Sequence, residues 1–389
     1  MAGLELLEDT LAKIEEDITH LSSEDVINEE DEREYEDENK GLIWERLERN
    51  NKWELYTNFT EDQILQLYRC MVPHIHSNRK RGPLPKISYA DGLIIILTFY
   101  KTGLEFDNLA EFVGVKPTTL KNTIERLRPI LYQTLHEIWI SNPMRPNPIN
   151  GTHFPHIALL VDSTSIQVQR PKARFEESKI YWDGKNHIYA LKKEVAVMAS
   201  KPHYCLFLQK GVVGSKHDYE YLKTTYHSYI PYLQKTSEEF ILLQTDQTHQ
   251  SWGALFDKGY IGREGDTPGL RRITPKKNPS TFSNQAENTE KNKIRVPIEC
   301  FFGRLQKLWK LFRGIYRWDH QHFDVDFDNC AMLTNEHIQR NSLEELDRMF
   351  MQQFFQKRKI EEEKKTEKRK REQEKYKEKK KMKLTNLSK

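Results

Sequence analysis

Three acidic residues of this chain lie beside short apolar segments. Asp162 follows "IALLV", Asp257 follows "ALF", and Glu299 lies within "RVPIECFFGRL". Carboxylates at the ends of two strands and on one helix can converge at one edge of a sheet, and oxygen-only sites suit Mg²⁺ or Mn²⁺. Two such ions activate a water and stabilise a leaving 3′ oxygen in phosphodiester chemistry. The pattern is therefore compatible with a metal-dependent nuclease.

Each acid taken alone is a weak indication. Asp and Gly favour turns, so "LFDKGYIG" is also typical of a strand that ends in a turn. Asp246, in "ILLQTD", ends an apolar run too and competes with Asp257 as the second acid. Asp218, in "GSKHDYE", is interpreted as a helix N-cap or as support for a ligand, and His217 as mainly structural.

Apolar periodicity predicts the elements that carry these acids. "HIALLVDSTSIQVQR", "KNHIYALKKEVAVMAS" and "YCLFLQKGVVG" predict three consecutive strands, and "HDYEYLKTTYHSYIPYLQK" predicts a helix. "EFILLQT" and "GALFD" are short apolar runs, "LRRITPKK" predicts a short strand, and "VPIECFFGRLQKLWKLF" predicts an amphipathic helix with Trp309 and Phe312 in the core. Strands mixed with helices indicate an α/β domain with a mixed sheet.

The segment before these strands is helical in pattern. A short helix over 106–112, a tight turn at Gly114 and a second helix from Pro117 are predicted, since proline suits the first helical position. Ala110, Gly114 and Leu120 have the spacing of a helix-turn-helix, with a small residue for close packing and a glycine for the turn. "SNPMRPNPINGTHFP" is typical of a linker.

Charge is distributed unevenly along the chain. The 389 residues carry a net charge of +3, but residues 1–48 contain 18 acidic and 4 basic side chains, whereas residues 357–389 contain 16 basic and 7 acidic ones. An acidic head, a basic tail and a mildly basic body point towards nucleic acid rather than a small metabolite.

Cysteine spacing and hydropathy exclude other classes. The four cysteines show no CxxC spacing, which argues against a disulfide scaffold, a zinc ribbon or a secreted protein. The sequence shows neither a signal segment nor an apolar run of the roughly 18 residues that a membrane helix needs. We therefore expect a soluble intracellular protein without membrane contact.

These patterns divide the chain into five parts. We expect an acidic disordered head, a helical domain with the helix-turn-helix, a linker, an α/β nuclease domain and a basic Lys/Glu-rich tail, over residues 1–40, 41–140, 141–155, 156–345 and 346–389 respectively.

Four motifs resemble the DDE endonucleases of Harbinger-type transposases: "LLVDSTSIQV", "GVVGSKHDYEYL", "LFDKGYIG" and "RVPIECFFGRLQKLW", in this order. The segment "SYADGLIIILTFYKTGLEFDNLAEFVGVKPTTLKNTI" resembles the helix-turn-helix that precedes the nuclease in that family, so the resemblance covers roughly residues 88–335. It implies an RNase H-like mixed sheet flanked by helices. It also implies that Asp162, Asp257 and Glu299 form the catalytic triad and hold two Mg²⁺ or Mn²⁺ ions. The Lys-Gly-Tyr context favours Asp257 over Asp246.

The implied reaction is strand cleavage followed by attack of the freed 3′ hydroxyl on target DNA. The expected partners are double-stranded DNA, a second copy of the chain and an accessory DNA-binding protein. The nucleus is the expected location in a eukaryote, and "EKRKRE" would serve import; otherwise the protein would meet DNA in the cytoplasm. The alternative is a domesticated transposase that binds DNA or protein without catalysis, although all three acids are present.

Several residues are predicted to face DNA. In the helix-turn-helix these are Lys116, Thr118, Thr119, Lys121, Asn122 and Arg126, at or near the start of the second helix. Near the Asp257 turn they are Arg271, Arg272 and Lys276, and Lys307 is expected to share the Glu299 face because eight residues make close to two helical turns. A solvated polar surface is the alternative for each of them.

Overall fold

A computed structural model describes residues 41–78, 85–171, 174–243, 246, 248–344 and 346–349, together with single positions between 353 and 371. The predicted disordered head and most of the predicted basic tail lie outside these residues, as does the import motif apart from Glu367 and Arg371. Within the described part of the chain, no helix is long and apolar enough to cross a membrane.

Six helices form the N-terminal part of the described chain. Their order is α1 (Leu42–Asn50), α2 (Trp53–Thr57), α3 (Glu61–Asn78), α4 (Tyr89–Thr102), α5 (Phe106–Val113) and α6 (Pro117–Trp139). Helix α4 contains the run "LIIIL" and is buried along most of its length. Ser88 caps its first turn by accepting a hydrogen bond from the Asp91 amide, and Gly103 ends it in the left-handed conformation.

The connection between α5 and α6 is as short as predicted. Gly114 ends α5 with a φ of 83°, a conformation that glycine adopts without strain, and Pro117 begins α6. Ala110 and Leu120 are buried, so the two helices pack closely across the three-residue turn. The predicted short helix, turn and long helix are confirmed as elements.

A mixed seven-stranded sheet follows. The strands are β1 (Ile157–Gln167), β2 (Trp182–Asp183), β3 (Ile188–Met198), β4 (Cys205–Leu208), β5 (Val212–Val213), β6 (Gly253–Phe256) and β7 (Arg272–Ile273). Their order is β2-β3-β1-β6-β7, and β4 and β5 also pair with β3. The β1–β3 pair is antiparallel, whereas β1–β6 and β6–β7 are parallel. The predicted α/β fold with a mixed sheet is confirmed.

The remaining described helices are α7 (Phe175–Lys179), α8 (Asp218–Thr225), α9 (Ile230–Leu233), α10 (Ser237–Leu242), α11 (Phe282–Leu308) and α12 (Phe323–Arg340). Residues 239–242 of the run "EFILLQT" belong to α10, whose first turn is stabilised by a capping box of Thr236 and Glu239. Helix α11 begins at Phe282, well before the predicted start. Pro297 lies inside it, although prolines usually interrupt helices.

A buried ion pair joins the N-terminal helices to the sheet domain. Arg128 on α6 donates from Nε and Nη2 to the carboxylate of Asp326 on α12, at 2.7 and 3.2 Å. The hydroxyls of Tyr100 and Tyr316 donate to the same carboxylate. Both charged side chains are almost inaccessible, with exposed fractions of 2 % and 0 %. One hydrophobic core therefore runs through both parts around a satisfied polar centre.

Replacing Asp326 by alanine should destabilise the protein strongly. The substitution leaves Arg128 buried without its counterion, and such a loss costs about 3–5 kcal/mol. The measurement is the free energy of unfolding from urea denaturation.

The matched control is Arg317→Ala, which breaks the Arg317–Glu105 pair between the same two parts. Its side chains are 54 % and 60 % exposed, so a change of about 0–1 kcal/mol is expected. Equal losses in the two variants would contradict a dominant role for the buried pair.

Candidate active site

The parallel pairing of β1 and β6 brings two of the predicted acids together. The last aligned pair is Val161 and Phe256, and Asp162 and Asp257 are the next residue on each strand. Because both residues continue the same register and side chains alternate between faces, the two carboxylates lie on one face of the sheet, at the edge where β6 ends. The expectation that Asp162 ends its strand is wrong, since β1 continues to Gln167 by pairing with β3. Asp257 leaves β6 in an extended conformation before the short 3₁₀ turn Lys258–Tyr260.

A single arginine bridges the two aspartates. Arg295 on α11 donates from Nη2 to Oδ2 of Asp162 at 2.9 Å and from Nη1 to Oδ1 of Asp257 at 3.0 Å. Its side chain is only 9 % exposed, whereas those of Asp162 and Asp257 are 21 % and 31 % exposed. The two aspartates are thus close enough for one guanidinium to join them.

Glu299 lies one helical turn after Arg295 on the same face of α11. Its Oε2 accepts a hydrogen bond from Nε of Arg348 at 3.1 Å. The pKa of Arg295 is raised overall. Burial lowers it, but the negative charges nearby outweigh burial, in the order Asp162, Asp257 and Glu299. Glu299 therefore belongs to the same electrostatic cluster, although its carboxylate is held by Arg348.

Burial is the largest influence on the pKa of Asp162. It raises the pKa of this carboxyl to about 6, against the lowering effect of Arg295, and the nearby charge of Asp257 raises it further. Lys185, in the exposed turn between β2 and β3, also acts to lower it. Lys185 therefore adds positive charge within electrostatic range of Asp162.

Asp218 approaches this edge from the other face of the sheet. Oδ1 of Asp218 accepts hydrogen bonds from Oγ of Ser163 at 2.8 Å and from Nζ of Lys192 at 3.2 Å. A Cβ at Gly259 would come within 2.9 Å of its Oδ2, so a glycine lets the turn after Asp257 pass. The helix N-cap is His217 rather than Asp218, because the His217 ring accepts the Tyr219 amide while Asp218 faces the sheet.

A buried carboxyl supports this second face. Glu194 on β3 is fully buried, and its Oε1 accepts hydrogen bonds from the hydroxyls of Thr225 and Tyr229. Burial raises its pKa to about 7. Tyr260, the tyrosine of the Lys-Gly-Tyr turn, is buried nearby and packs against Phe256. The turn is therefore anchored by its tyrosine in the core.

Asp246 lies at the opposite end of β6. Its carboxylate pairs with Lys235 at 3.0 Å and with Arg271 at 2.5 Å, and Arg271 also donates to the carbonyl of Ser251, just before the strand begins. Asp257 follows the end of the same strand. Asp246 is thus separated from Asp162 and Asp257. The expectation that Arg271 lies beside the Asp257 turn is wrong, since Asp246 holds it at the other edge.

The other basic residues predicted around the site have protein partners. Arg272 donates to the carbonyls of Gly262 and Arg263 and lies over the Tyr219 ring. Lys276 pairs with Glu287 at 2.7 Å and remains about half exposed.

Lys307 is exposed and lies 4.0 Å from Asp347. Arg304 forms two short hydrogen bonds with that same buried aspartate. Lys307 therefore faces the segment that also supplies Arg348 to Glu299.

The residues predicted on the second helix of the helix-turn-helix surround the start of α6. Lys116, Thr118, Lys121 and Asn122 are exposed, and Thr119 is partly buried. Arg126 is partly buried, stacks over Tyr89 and donates to the carbonyl of Ile87.

Two depressions flank this first turn. One of about 370 Å³ contains Lys86 and Arg126, and one of about 450 Å³ contains Lys121, Arg317 and Trp318. The smaller depression has only basic charged side chains in its wall, whereas Glu105 and Asp107 also line the larger one.

Sequence patterns missed Arg295, Lys185 and the segment around Arg348. Arg295 precedes Glu299 by four residues, and this spacing on one helix was the available signal. Pro297 between them concealed it, because the proline suggested a helix start rather than a helix interior. No local pattern links Arg348 to Glu299, which is 49 positions earlier in the chain.

The acids suit a divalent cation by their chemistry. Asp162 and Asp257 offer oxygen ligands, and together they already hold one cationic group, the Arg295 guanidinium. Among the residues that the structure describes, no three His, Cys, Asp or Glu side chains are close enough to hold a metal ion. The fit therefore rests on the aspartate pair, with Glu299 one helical turn from the arginine that joins them.

Comparison with known proteins gives a match to one family model, over less than half of the chain. Residues 161–335 match the family model described as DDE superfamily endonuclease. This match spans the strand that carries Asp162, the Asp257 turn and the helix with Glu299. It indicates a transposase-like, metal-dependent nuclease activity with DNA as substrate. Neither the curated proteins nor the solved structures yielded a match.

Replacing Asp246 by asparagine should destabilise the protein in a pH-dependent way. Arg271 and Lys235 hold the pKa of Asp246 down, at about 2, despite the opposing effect of burial. The ionised form therefore contributes stability above about pH 4, the usual pKa of Asp, and this contribution is lost as the pH falls towards 2.

We expect Asp246→Asn to cost about 1–3 kcal/mol at pH 7, because Lys235 and Arg271 lose a charged acceptor. The difference from the wild type should shrink as the pH is lowered to 3. Urea denaturation at several pH values measures it, and a difference of constant size from pH 7 to 3 would contradict the interpretation.

Proposed function

We propose that this protein is a DNA transposase of the Harbinger type that cuts phosphodiester bonds with Asp162, Asp257 and Glu299. The observation that carries the proposal is the joining of Asp162 and Asp257 by one cationic group, on one face of the sheet where the parallel pairing of β1 with β6 ends. Asp162 lies on the first strand, Asp257 after the fourth strand of at least four residues, and Glu299 on the next long helix. This order supports an RNase H-like fold.

The proposed site would hold Mg²⁺ or Mn²⁺, two ions in all, through Asp162, Asp257 and Glu299. When bound, such ions activate water and stabilise the leaving 3′ oxygen. The protein supplies the rest of the site. The register of β1 and β6 fixes the positions of the two aspartates, and Arg295 and Lys185 offer positive charge to phosphate. Glu299 must give up its hydrogen bond with Arg348 before it can bind a metal ion together with the aspartates.

The short distance between the aspartates and the first turn of α6 supports the proposal. Strand β1 extends past Asp162 to Gln167, and Gln169 lines the depression beside the first turn of α6. Seven residues of extended chain span roughly 23 Å, less than the 34 Å turn of B-DNA. One duplex can therefore reach both α6 and the aspartates. We propose that α5 and α6 act as the helix-turn-helix.

Cutting both ends of a mobile element requires two active sites, so we propose a homodimer that works with an accessory DNA-binding protein in the nucleus. The competing proposal is a domesticated protein that binds DNA without cutting it. The contact between Glu299 and Arg348 favours that alternative, because it occupies the third acid.

Metal-dependent nicking of supercoiled plasmid tests the proposal. Asp162→Asn, Asp257→Asn and Glu299→Gln should each reduce Mn²⁺-dependent nicking on the order of 100-fold or more, because each removes a carboxylate ligand of the metal ions that stabilise the transition state. Asp246→Asn is the control. Asp246 ends an apolar run, as Asp257 does, but it lies at the other end of β6. The Asp246→Asn variant should therefore still nick plasmid, although it is less stable than the wild type.

Each alternative outcome is informative. A wild-type protein that binds plasmid but does not nick it favours the domesticated alternative. Nicking that survives in all three variants would mean that the activity resides elsewhere or in a contaminant. If only Asp246→Asn lost nicking, the second catalytic acid would be Asp246 and the assignment to Asp257 would be wrong.

The proposed DNA face of α6 makes a separate prediction. Lys116→Ala and Lys121→Ala should each weaken binding to a 30-base-pair duplex, because each removes a phosphate contact. Each should also lower the slope of log K against log salt by about one. Fluorescence anisotropy at several salt concentrations measures both quantities.

Lys201→Ala is the control for these variants. Lys201 is exposed and lies beyond the end of β3, next to the start of β1 and thus away from the Asp162 edge. Its removal should leave affinity and salt slope unchanged. If all three variants behave alike, α6 is not the DNA face.

A further inference from the structure

Arg295 is the basic residue that joins the two aspartates of the proposed site. It contacts both aspartates through separate guanidinium nitrogens. We propose that Arg295 is a positioning residue that occupies the place of a divalent cation between Asp162 and Asp257, so that metal binding requires its displacement. The inference rests on the proposed function, since it concerns the same aspartates. It makes the metal affinity of the site a competition with a side chain.

The contacts of Arg295 suggest that it can be displaced. Its Nε is buried and has no hydrogen-bond partner among the residues that the structure describes. In the described part of the chain, its two hydrogen bonds go to the two aspartates. By contrast, Arg304 on the same helix bonds to Asp347, to His337 and to two backbone carbonyls. Arg295 is therefore fixed almost entirely by the two carboxylates for which a metal would compete.

The charge balance points the same way. Glu299 is paired with Arg348, and Asp218 is paired with Lys192 on the other face of the sheet. Asp162, Asp257 and Arg295 together carry one net negative charge. A divalent cation that joined all three would leave a positive site with two cations side by side, which is unfavourable at low exposure. Displacement of the guanidinium removes this repulsion.

A displaced Arg295 would retain a use at the site. Its planar fork matches phosphate as well as carboxylate. A DNA phosphate bound at the metal would lie close to Arg295, because the guanidinium lies between the two aspartates before it is displaced. Arg295 would thus neutralise the aspartates before the metal binds and contact the DNA phosphate afterwards.

Mn²⁺ binding to the full-length protein without DNA tests this inference. The free Mn²⁺ signal in electron paramagnetic resonance measures the dissociation constant. Arg295→Gln should bind Mn²⁺ on the order of 10- to 100-fold more tightly than the wild type, the range expected when charge-assisted hydrogen bonds no longer compete. Arg295→Lys should fall between the two, because one ammonium cannot join both aspartates as the fork does.

Lys293→Gln is the matched control. It removes the same charge two residues away on the same helix, from an exposed side chain. Its Mn²⁺ affinity should equal that of the wild type. The melting temperature gives a second readout: in EDTA Arg295→Gln should melt below the wild type, and Mn²⁺ should raise its melting temperature more. If Arg295→Gln does not fold, the Arg295→Lys affinity decides.

The outcomes separate this inference from the proposed function. Mn²⁺ binding that is lost in Asp162→Asn and Asp257→Asn, with unchanged or weaker binding in both Arg295 variants, would overturn the inference and leave the nuclease proposal intact. Wild-type binding that neither aspartate substitution reduces would overturn both. Tighter binding in the Arg295 variants but not in Lys293→Gln supports the competition.

Discussion

The parallel register of β1 with β6 is the constraint on which the site depends. It ends at Val161 and Phe256, so the next residue on each strand is an aspartate on the same face. A slip of one residue would turn one carboxylate to the other face. The strands are buried in this region, because α11 packs against β1 and β6 on one face, and Asp218 of α8 hydrogen-bonds to Ser163 of β1 on the other.

Bringing like charges together costs free energy, and the chain offsets this with its own cations. Arg295 joins Asp162 and Asp257, Arg348 holds Glu299, and Lys192 holds Asp218. The last two are ordinary partly buried pairs, but the first puts one cation between two acids. The electrostatics of the site are thus balanced by side chains before any metal or DNA arrives, and binding of either must rearrange them.

Local patterns were sufficient where one element decides the outcome. Gly114 and Pro117 predicted the turn before α6, and the apolar run "ALF" predicted that Asp257 follows a buried strand. They failed where partners come from distant segments. An acid after an apolar run does not reveal which end of a strand it occupies, so Asp246 competed with Asp257. The Arg295 fork needs the register of two strands and the path of α11, which no short motif encodes.

The N-terminal helices are tied to the acidic edge through α12. Asp326 on α12 binds Arg128 of α6, and Asp324 and Asp328 of α12 bind Lys193 of β3. The next residue of β3, Lys192, reaches the opposite face and Asp218. Since these pairs link α6 to the strand beside β1, the distance between the proposed DNA face and the aspartates is set by packing. A cut would then fall at a fixed distance from the sequence that α6 contacts.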